Sequence, residues 1–243
     1  MMSSSAINDK KRVAVIIPAL NEEDNIEHVI KDIPHNLVDD IIVVDNGSTD
    51  ATPERARRAG ARVVSEPKRG YGNACMRGLQ EAKGAYIVVF LDGDHSDYPE
   101  EMSILVEEIS EGYDMAIGSR MIGKRETGAL PPHSLFGNWL VCKLINLSVG
   151  THYTDLGPFR AVRYERLMEL GMCDPNYGWT VEMALRAAYA GWSVCEIPVR
   201  YRKRRSGQSK VTGSLAASIR TALKMFWVLI MLQLKLRKEK KQR

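Results

Sequence analysis

Two carboxylates one residue apart follow a short apolar stretch of the chain. Residues 88–91 have the length and composition of a buried strand, and Asp92, Gly93 and Asp94 come directly after it. Carboxylates are costly to bury and repel each other, so a pair just past a buried strand usually faces a cation. Mg²⁺ or Mn²⁺ carrying a diphosphate would suit this pair. An ordinary polar turn is the alternative interpretation.

The elements before this pair alternate between apolar strands and helices. Strands are predicted at residues 13–18, 40–45, 62–64 and 86–91. This alternation implies a parallel sheet covered by helices on both faces. Ligands of such sheets bind at the carboxyl ends of the strands, where residues 18–22, 45–48 and 92–94 fall. The sequence therefore predicts that three polar clusters converge on one crevice.

The rest of the chain continues the α/β pattern less regularly. Helices are predicted at residues 99–111, 139–147 and 179–190, and strands at 115–120 and 194–201. A length of 243 residues with 44% hydrophobic content suits one substantial core. We expect a polar tail at residues 1–12, a main domain at 13–213, and an apolar helix with a basic tail at 214–243.

Composition excludes several classes of protein. The four cysteines are scattered without a Cys-x-x-Cys pair, so neither a zinc knuckle nor a disulfide framework is indicated. The polar N-terminus has no apolar stretch typical of a signal peptide. The segments rich in Lys and Arg, residues 202–210 and 235–243, lack interleaved aromatic side chains, which disfavours nucleic-acid binding.

Five motifs in order resemble one enzyme family. They lie at residues 17–22, 44–50, 68–72, 92–94 and 118–120. Together they resemble the family 2 inverting glycosyltransferases of the GT-A fold, and are most similar to the dolichyl-phosphate or polyprenyl-phosphate mannose or glucose synthase branch. The resemblance implies a mostly parallel sheet flanked by helices. It also implies a metal-dependent enzyme that moves a hexose from a GDP- or UDP-linked sugar to a polyprenyl phosphate.

The resemblance assigns donor-binding roles to particular residues. It implies that the nucleotide sugar is bound by Pro18, Ala19, Asn21, Glu22, Asp45, Lys68, Asp92, Gly93, Asp94, Arg204 and Arg205. Asp92 and Asp94 would hold Mg²⁺ or Mn²⁺ on the diphosphate. As an alternative, Glu22 and Asp45 are simply helix-capping residues. Ser96 stands where many relatives carry an amide that can join the metal shell, which leaves the third metal ligand open.

A basic segment near the end of the main domain resembles the mobile loop of the family. The resemblance implies that Arg204 and Lys210 act in catalysis beside Asp94, with Arg205 close by. Positive charge in a desolvated site stabilises the negative charge that develops on a departing diphosphate. A solvated run of charges is the alternative.

Acceptor chemistry is less well specified. Arg120 and Arg160 are candidates for binding the acceptor phosphate, although Pro158 departs from the family pattern beside Arg160. Glu182 lies where relatives with hydroxyl acceptors carry a catalytic base. A phosphate monoester is already anionic near neutral pH and needs no base, so Glu182 could instead orient an arginine or the sugar.

The C-terminal segment predicts contact with a membrane surface. Its uninterrupted apolar core, residues 225–232, is too short for a membrane span, and basic residues flank it. Such a helix suits the headgroup layer, here at the cytoplasmic face. A helix docked on the domain or on another subunit is the alternative, and an oligomer is possible. Two rival functions remain: transfer to a soluble hydroxyl acceptor, and nucleotide-sugar binding without catalysis.

Overall fold

A single sheet forms the centre of the computed structural model, which describes residues 11–207 and 229–234. The strands within these ranges are β1 (Val13–Ala19), β2 (Asp40–Asp45), β3 (Arg62–Ser65), β4 (Ile87–Phe90), β5 (Met115–Ser119), β6 (Arg160–Arg163) and β7 (Val194–Pro198). Their order across the sheet is β3-β2-β1-β4-β6-β5-β7. Pairing is parallel except at β6, which runs antiparallel to β4 and β5. The predicted α/β fold with a mostly parallel sheet is therefore confirmed.

Helices cover both faces of the sheet. They are α1 (Ile26–Asp32), α2 (Thr52–Arg58), α3 (Tyr71–Glu81), α4 (Met102–Ser110), α5 (Pro132–Val149), α6 (Tyr164–Glu169) and α7 (Trp179–Tyr189), with a 3₁₀ turn at Pro99–Glu101 before α4. One core cluster joins alternate residues of β1, β2 and β4 to α3, α5 and α7. The second cluster joins the intervening strand residues to α1, α2 and α4. All four residues of β4 are buried, because a central parallel strand is covered on both sides.

Element boundaries differ from the sequence prediction where local chemistry decides them. Helix α3 begins at Tyr71, directly after Gly70 with its φ of 137°. Helix α5 begins at Pro132, since proline suits the first turn of a helix. Strand β6 was not predicted, because its four residues begin and end with arginine and show no apolar run.

The register of the sheet positions the polar clusters. Ala19 pairs with Asp45, and Ile16 pairs with Phe90, so β1, β2 and β4 end at the same edge of the sheet. The described ranges also bear on membrane-spanning helices and on disulfides. Within them, no helix has both the length and the apolar character required to cross a membrane. All four cysteines lie in this part of the chain and form no disulfide.

Candidate active site

Asp92 and Asp94 lie in the loop after β4 and line a pocket of about 280 Å³. Burial, followed by the negative charge of Asp94, raises the pKa of Asp92 to about 7. A shift of this kind is expected when two carboxylates share a site with too little positive charge. The pair therefore fits a divalent cation, whose preferred ligands are oxygen atoms.

A third acid, Asp97, lies three residues further along the chain. It is 2% exposed, and neither carboxylate oxygen has a hydrogen-bond partner among the described residues. Burial, followed by the charge of Asp92, raises the pKa of Asp97 well above its usual range. Within the described ranges, no three Asp, Glu, His or Cys side chains are grouped closely enough to hold a metal. A cation at Asp92 and Asp94 would therefore take further ligands from water or from a bound phosphate.

Arg204 reaches into the pocket from the segment after β7. Its Nη1 donates to Oε1 and Oε2 of Glu22 at 3.0 and 2.9 Å, and its Nη2 lies 3.1 Å from Oδ2 of Asp94. Burial opposes its charged form, but the carboxylates of Asp94 and Glu22 raise the pKa of Arg204. The guanidinium of Arg204 therefore links Glu22, which follows β1, to Asp94, which follows β4.

The loop after β1 holds Glu22 in a fixed orientation. The backbone N–H of Glu22 donates to Oγ1 of Thr52 at 2.8 Å, and Nδ2 of Asn25 donates to Oε2 of Glu22 at the same distance. Asn21 precedes it with a φ of 52°, and its Oδ1 accepts a bond from the N–H of Thr49 at 2.8 Å. Asn21 thus joins the ends of β1 and β2 and does not line the pocket.

Asn46 organises the loop between β3 and α3. Its Nδ2 donates to the carbonyls of Glu66 and Lys68 at 2.9 and 2.8 Å, and its Oδ1 accepts from the N–H of Gly70 at 2.7 Å. All the polar capacity of the amide is used on one loop. As a result, Arg69 and Gly70 line the pocket, whereas Lys68 does not.

A segment distant in sequence completes the pocket wall. Residues 173–178 pack on the loop before α3 so closely that a Cβ on Gly70 or Gly72 would lie about 2.1 or 1.9 Å from a carbonyl oxygen of Pro175 or Asp174. Only glycine permits this approach. The packing brings Asn176 and Tyr177 into the pocket lining.

Glu182 anchors residues 173–178 through hydrogen bonds to their backbone. It is 1% exposed, and its carboxylate accepts bonds from the N–H groups of Cys173 and Asp174 at 3.0 and 2.6 Å and from Nε of Arg186 at 2.8 Å. Burial alone would raise the pKa of Glu182, but these hydrogen bonds lower it below the usual range. The structure does not bring Glu182 into the pocket lining, where a catalytic base would act.

Arg120 and Arg160 lie on the other side of Asp92. Arg120 makes a bidentate pair with buried Asp155, with Nε to Oδ2 at 2.8 Å and Nη2 to Oδ1 at 2.7 Å. Its guanidinium carbon lies 5.2 Å from the ring centre of Tyr201. Arg160 is 1% exposed and donates to the carbonyl of Gly157, and burial lowers its pKa. Arg160 therefore lies in the core, where no dissolved acceptor reaches it.

An apolar groove of about 700 Å³ lies along α5, next to Arg120. Its lining includes Met121, Ile122, Trp139, Cys142, Leu147 and Tyr153. Trp139 is 51% exposed and Leu147 is 76% exposed. Residues 229–234 lie beside α5, where Nε2 of Gln233 donates to Oγ of Ser148 at 2.6 Å. This helical segment buries Leu229 and Leu232 and exposes Ile230, Met231 and Leu234.

Comparison with known families identifies the chain. Residues 14–170 match the sequence model for Glycosyl transferase family 2. The chain belongs to this family. An uncharacterized glycosyltransferase of Mycobacterium tuberculosis is 38% identical over 220 residues, which are 90% of this chain and 97% of that protein.

Relatives in family 2 with more specific names differ in their acceptors. A dolichyl-phosphate hexose transferase of Haloferax volcanii is 33% identical across 82% of this chain and 86% of its own length. A polyprenol monophosphomannose synthase of Mycolicibacterium smegmatis is 30% identical across 86% and 84%. Among solved structures, glucosyl-3-phosphoglycerate synthase of Mycobacterium tuberculosis in complex with Mn²⁺, UDP-glucose and phosphoglyceric acid has a TM-score of 0.72 and 25% identity, covering 92% of this chain and 80% of that one.

The pocket of this family 2 member collects many of the predicted donor residues. Its lining includes Pro18, Ala19, Glu22, Asp92, Gly93, Asp94 and Arg204. Asn21, Asp45, Lys68 and Arg205 do not line it, and Lys210 lies outside the described residues. Sequence reasoning missed Asn46, Arg69, Tyr71, Asn176 and Tyr177. Asn46 and Arg69 fall within or beside the quoted motifs and were within reach of sequence reasoning, whereas Asn176 and Tyr177 carry no local signal.

Proposed function

We propose that this chain transfers a hexose from a nucleoside diphosphate sugar to a polyprenyl phosphate, with inversion at the anomeric carbon. The observation that supports this most is the neighbouring position of the acidic pocket and the apolar groove. Arg120 lies between them: its charge opposes the raised pKa of Asp92, and the next two residues, Met121 and Ile122, line the groove. An acceptor that joins a phosphate to a hydrocarbon chain matches this arrangement.

The donor half of the reaction uses the acids and Arg204. Asp92 and Asp94 would hold Mg²⁺ or Mn²⁺, whose charge would neutralise the donor diphosphate and make it a better leaving group. Glu22 and the residues after β1 contact the nucleoside. Arg204, already 3.1 Å from Asp94, donates to the leaving phosphate as negative charge develops on it. Arg205 and Lys210 supply further positive charge from the same part of the sequence.

The acceptor half requires no general base. A phosphate monoester carries a nucleophilic anionic oxygen near neutral pH, so no proton has to be removed before it attacks the anomeric carbon. This agrees with the position of Glu182, whose carboxylate is buried and fully engaged with backbone N–H groups and Arg186. Arg120 contributes positive charge on the acceptor side.

Peripheral contact with the cytoplasmic face of a membrane forms part of this proposal. Phe136, Trp139 and Leu147 on α5 are each more than half exposed, and residues 229–234 add exposed apolar side chains beside them. In the sequence, residues 235–243 are rich in Lys and Arg, which anionic lipids attract. A bound membrane would present the polyprenyl phosphate directly to the groove.

A soluble phosphorylated acid is the second candidate acceptor. The structure of glucosyl-3-phosphoglycerate synthase, which has a TM-score of 0.72 to this chain, is described with phosphoglyceric acid bound. In that reaction a hydroxyl attacks and must lose a proton. The two candidates therefore differ in the chemistry of the attacking oxygen as well as in the hydrocarbon chain.

Transfer of radiolabelled sugar separates the two candidates. UDP- and GDP-linked hexoses are incubated with the protein, Mn²⁺ and either a polyprenyl phosphate in vesicles or 3-phosphoglycerate, and Asp94→Asn serves as the control. We expect label to enter the organic phase only with the lipid phosphate and only with the unmodified protein. Label transferred to 3-phosphoglycerate alone would support the second candidate, and absence of transfer to either would reject the proposed reaction.

A further inference from the structure

The charges around the pocket differ in how they are balanced. Carboxylates pair with Arg120, Arg200, Arg202 and Arg204, so the charge of each of these arginines is largely offset. Arg125 is exposed, and no carboxylate among the described residues pairs with it. Its Nη1 instead donates to the carbonyl of Arg120 and lies 3.9 Å from Sδ of Met121. Arg125 therefore keeps an unbalanced positive charge at the edge of the groove.

Backbone pairing fixes the distance from Arg125 to the acids. Arg125 bridges Tyr201 on one side, and Tyr201 bridges Asp97 on the other. Neighbouring strands lie about 4.8 Å apart, so two such steps separate the backbones of Arg125 and Asp97 by about 10 Å. Asp97 follows Asp94 by three residues. Arg125 thus lies beside Met121 of the apolar groove and two strand spacings from the segment that carries the acids.

A second cation lies in the paired segment. The N–H of Lys203 donates to Oε2 of Glu126 at 2.9 Å, and its side chain lies against Gly128. No carboxylate of the described ranges pairs with the ammonium group of Lys203. The strip formed by residues 124–128 and 201–203 therefore carries three cations, Lys124, Arg125 and Lys203, that pair with no carboxylate of the described residues.

We propose that Arg125, with Lys203 beside it, binds the phosphate of a phosphate-monoester acceptor. This inference rests on the proposed function and deepens it by naming the acceptor-binding residues. Guanidinium binds phosphate through paired, charge-assisted hydrogen bonds, and an arginine already paired with a carboxylate has fewer donors to offer. Arg160 is enclosed in the core, and Arg120 is engaged by Asp155. Arg125, whose Nη1 reaches the carbonyl of Arg120, takes the role that the sequence had given to Arg160.

The test uses two phosphate probes, farnesyl phosphate and glycerol 3-phosphate, which share the phosphate and differ in the hydrocarbon chain. Equilibrium binding and, where turnover occurs, KM are measured for the full chain and for Arg125→Gln. We expect Arg125→Gln to weaken phosphate binding about tenfold or more, with part of the loss recovered in Arg125→Lys. KM for the nucleotide sugar stays within about twofold. The matched control is Arg57→Gln, an exposed arginine on α2, which leaves both probes unaffected.

The two probes also identify the source of the phosphate. Weaker binding of farnesyl phosphate alone, together with its loss in Trp139→Ala, supports a lipid headgroup in the subsite. Weaker binding of glycerol 3-phosphate alone supports a soluble phosphate ester. Wild-type binding of both probes by Arg125→Gln, or failure of both probes to bind the unmodified chain, overturns the inference. Absence of transfer alongside an Arg125-dependent binding of the probes would reject the proposed reaction and keep the subsite.

Discussion

The donor side and the acceptor side of the pocket are built in different ways. On the donor side, carboxylates and amides follow directly from β1, β2 and β4, and hydrogen bonds of 2.7–2.9 Å fix Glu22 and Asn46. On the acceptor side, α5 and the irregular residues before it expose Phe136, Trp139 and Leu147. The donor side is held by its own hydrogen bonds, whereas the acceptor side presents apolar surface that a partner would cover.

This difference explains how one family can serve several acceptors. The names of two relatives of this chain mention dolichyl phosphate and polyprenol, and a solved structure of similar fold is described with phosphoglyceric acid bound. Side chains at strand ends are held by the core, so their spacing is maintained when loops change. We therefore expect changes in α5 and its neighbouring loop to alter acceptor binding without disturbing the donor pocket.

The largest effect is expected from the donor acids. Asp94→Asn removes a carboxylate from the metal position and from Arg204, so we expect the rate of sugar transfer to fall about 10²–10³-fold. Asp40→Asn, at the sheet edge where Asp40 pairs with Arg62, is the control and should retain the rate. Steady-state transfer with saturating Mn²⁺ measures both. Full activity in Asp94→Asn would contradict the assignment of the donor side, because Asp94 would then not be needed for the metal or for Arg204.

Arg204 should come next in size. Arg204→Gln retains a hydrogen-bonding side chain but loses the charge beside the leaving group, and we expect kcat to fall about tenfold to a hundredfold. Arg200→Gln is the matched control, because Arg200 is exposed and pairs with Glu100 and Glu101 outside the pocket. A change confined to the KM of the acceptor would instead assign Arg204 to the acceptor side.

Glu182 tests whether the acid behind the pocket wall at residues 173–178 acts in catalysis. Because its carboxylate holds the N–H groups of Cys173 and Asp174, Glu182→Gln should lower the free energy of unfolding by about 1–3 kcal/mol. The shape of the pH profile of kcat should not change. A general base would behave differently, with kcat falling about 10²–10⁴-fold and the acidic limb of the profile lost. Denaturant titration and a pH–rate series on Glu182→Gln and on exposed Glu169→Gln distinguish the two.

The smallest effect concerns the protonation of Asp92. The pKa of Asp92 in the folded chain is about 7, above the ordinary value of 3.8. Between pH 3.8 and pH 7, Asp92 is therefore protonated in the folded chain and ionised in the unfolded chain. By linkage, the fold loses stability as pH rises from about 4 to 7, and Asp92→Asn escapes this loss. We expect the Tm advantage of Asp92→Asn over the unmodified chain to be about 2–4 °C larger at pH 8 than at pH 5, measured without divalent metal. An advantage that does not vary with pH would mean that Asp92 is not strained by its neighbours.

Sequence reasoning succeeded where function follows a strand directly. A buried parallel strand reads as an uninterrupted apolar run, so the ends of β1, β2 and β4 could be located and their polar residues grouped. Glu22, Asp92 and Asp94 do line one pocket, as that grouping implied. The remaining roles assigned from the family resemblance stay predictions.

Sequence reasoning failed where tertiary packing decides position. Asn176 and Tyr177 reach the pocket because backbone carbonyls of Asp174 and Pro175 pack on Gly70 and Gly72, a contact between segments about a hundred residues apart. Arg160 was predicted as a candidate for binding the acceptor phosphate, but β6 runs antiparallel through the sheet and carries it into the core. Neither outcome follows from local composition.

Calorimetric titration of UDP and GDP into the full chain, with Mn²⁺ or with EDTA, tests the central claim most directly. The claim is that Asp92 and Asp94 bind a divalent ion on which the donor diphosphate depends. We expect at least one nucleotide to bind with Mn²⁺, and to bind at least tenfold more weakly in EDTA and in Asp92→Asn. Binding of equal strength with and without the metal, or unchanged binding by Asp92→Asn, would contradict the claim.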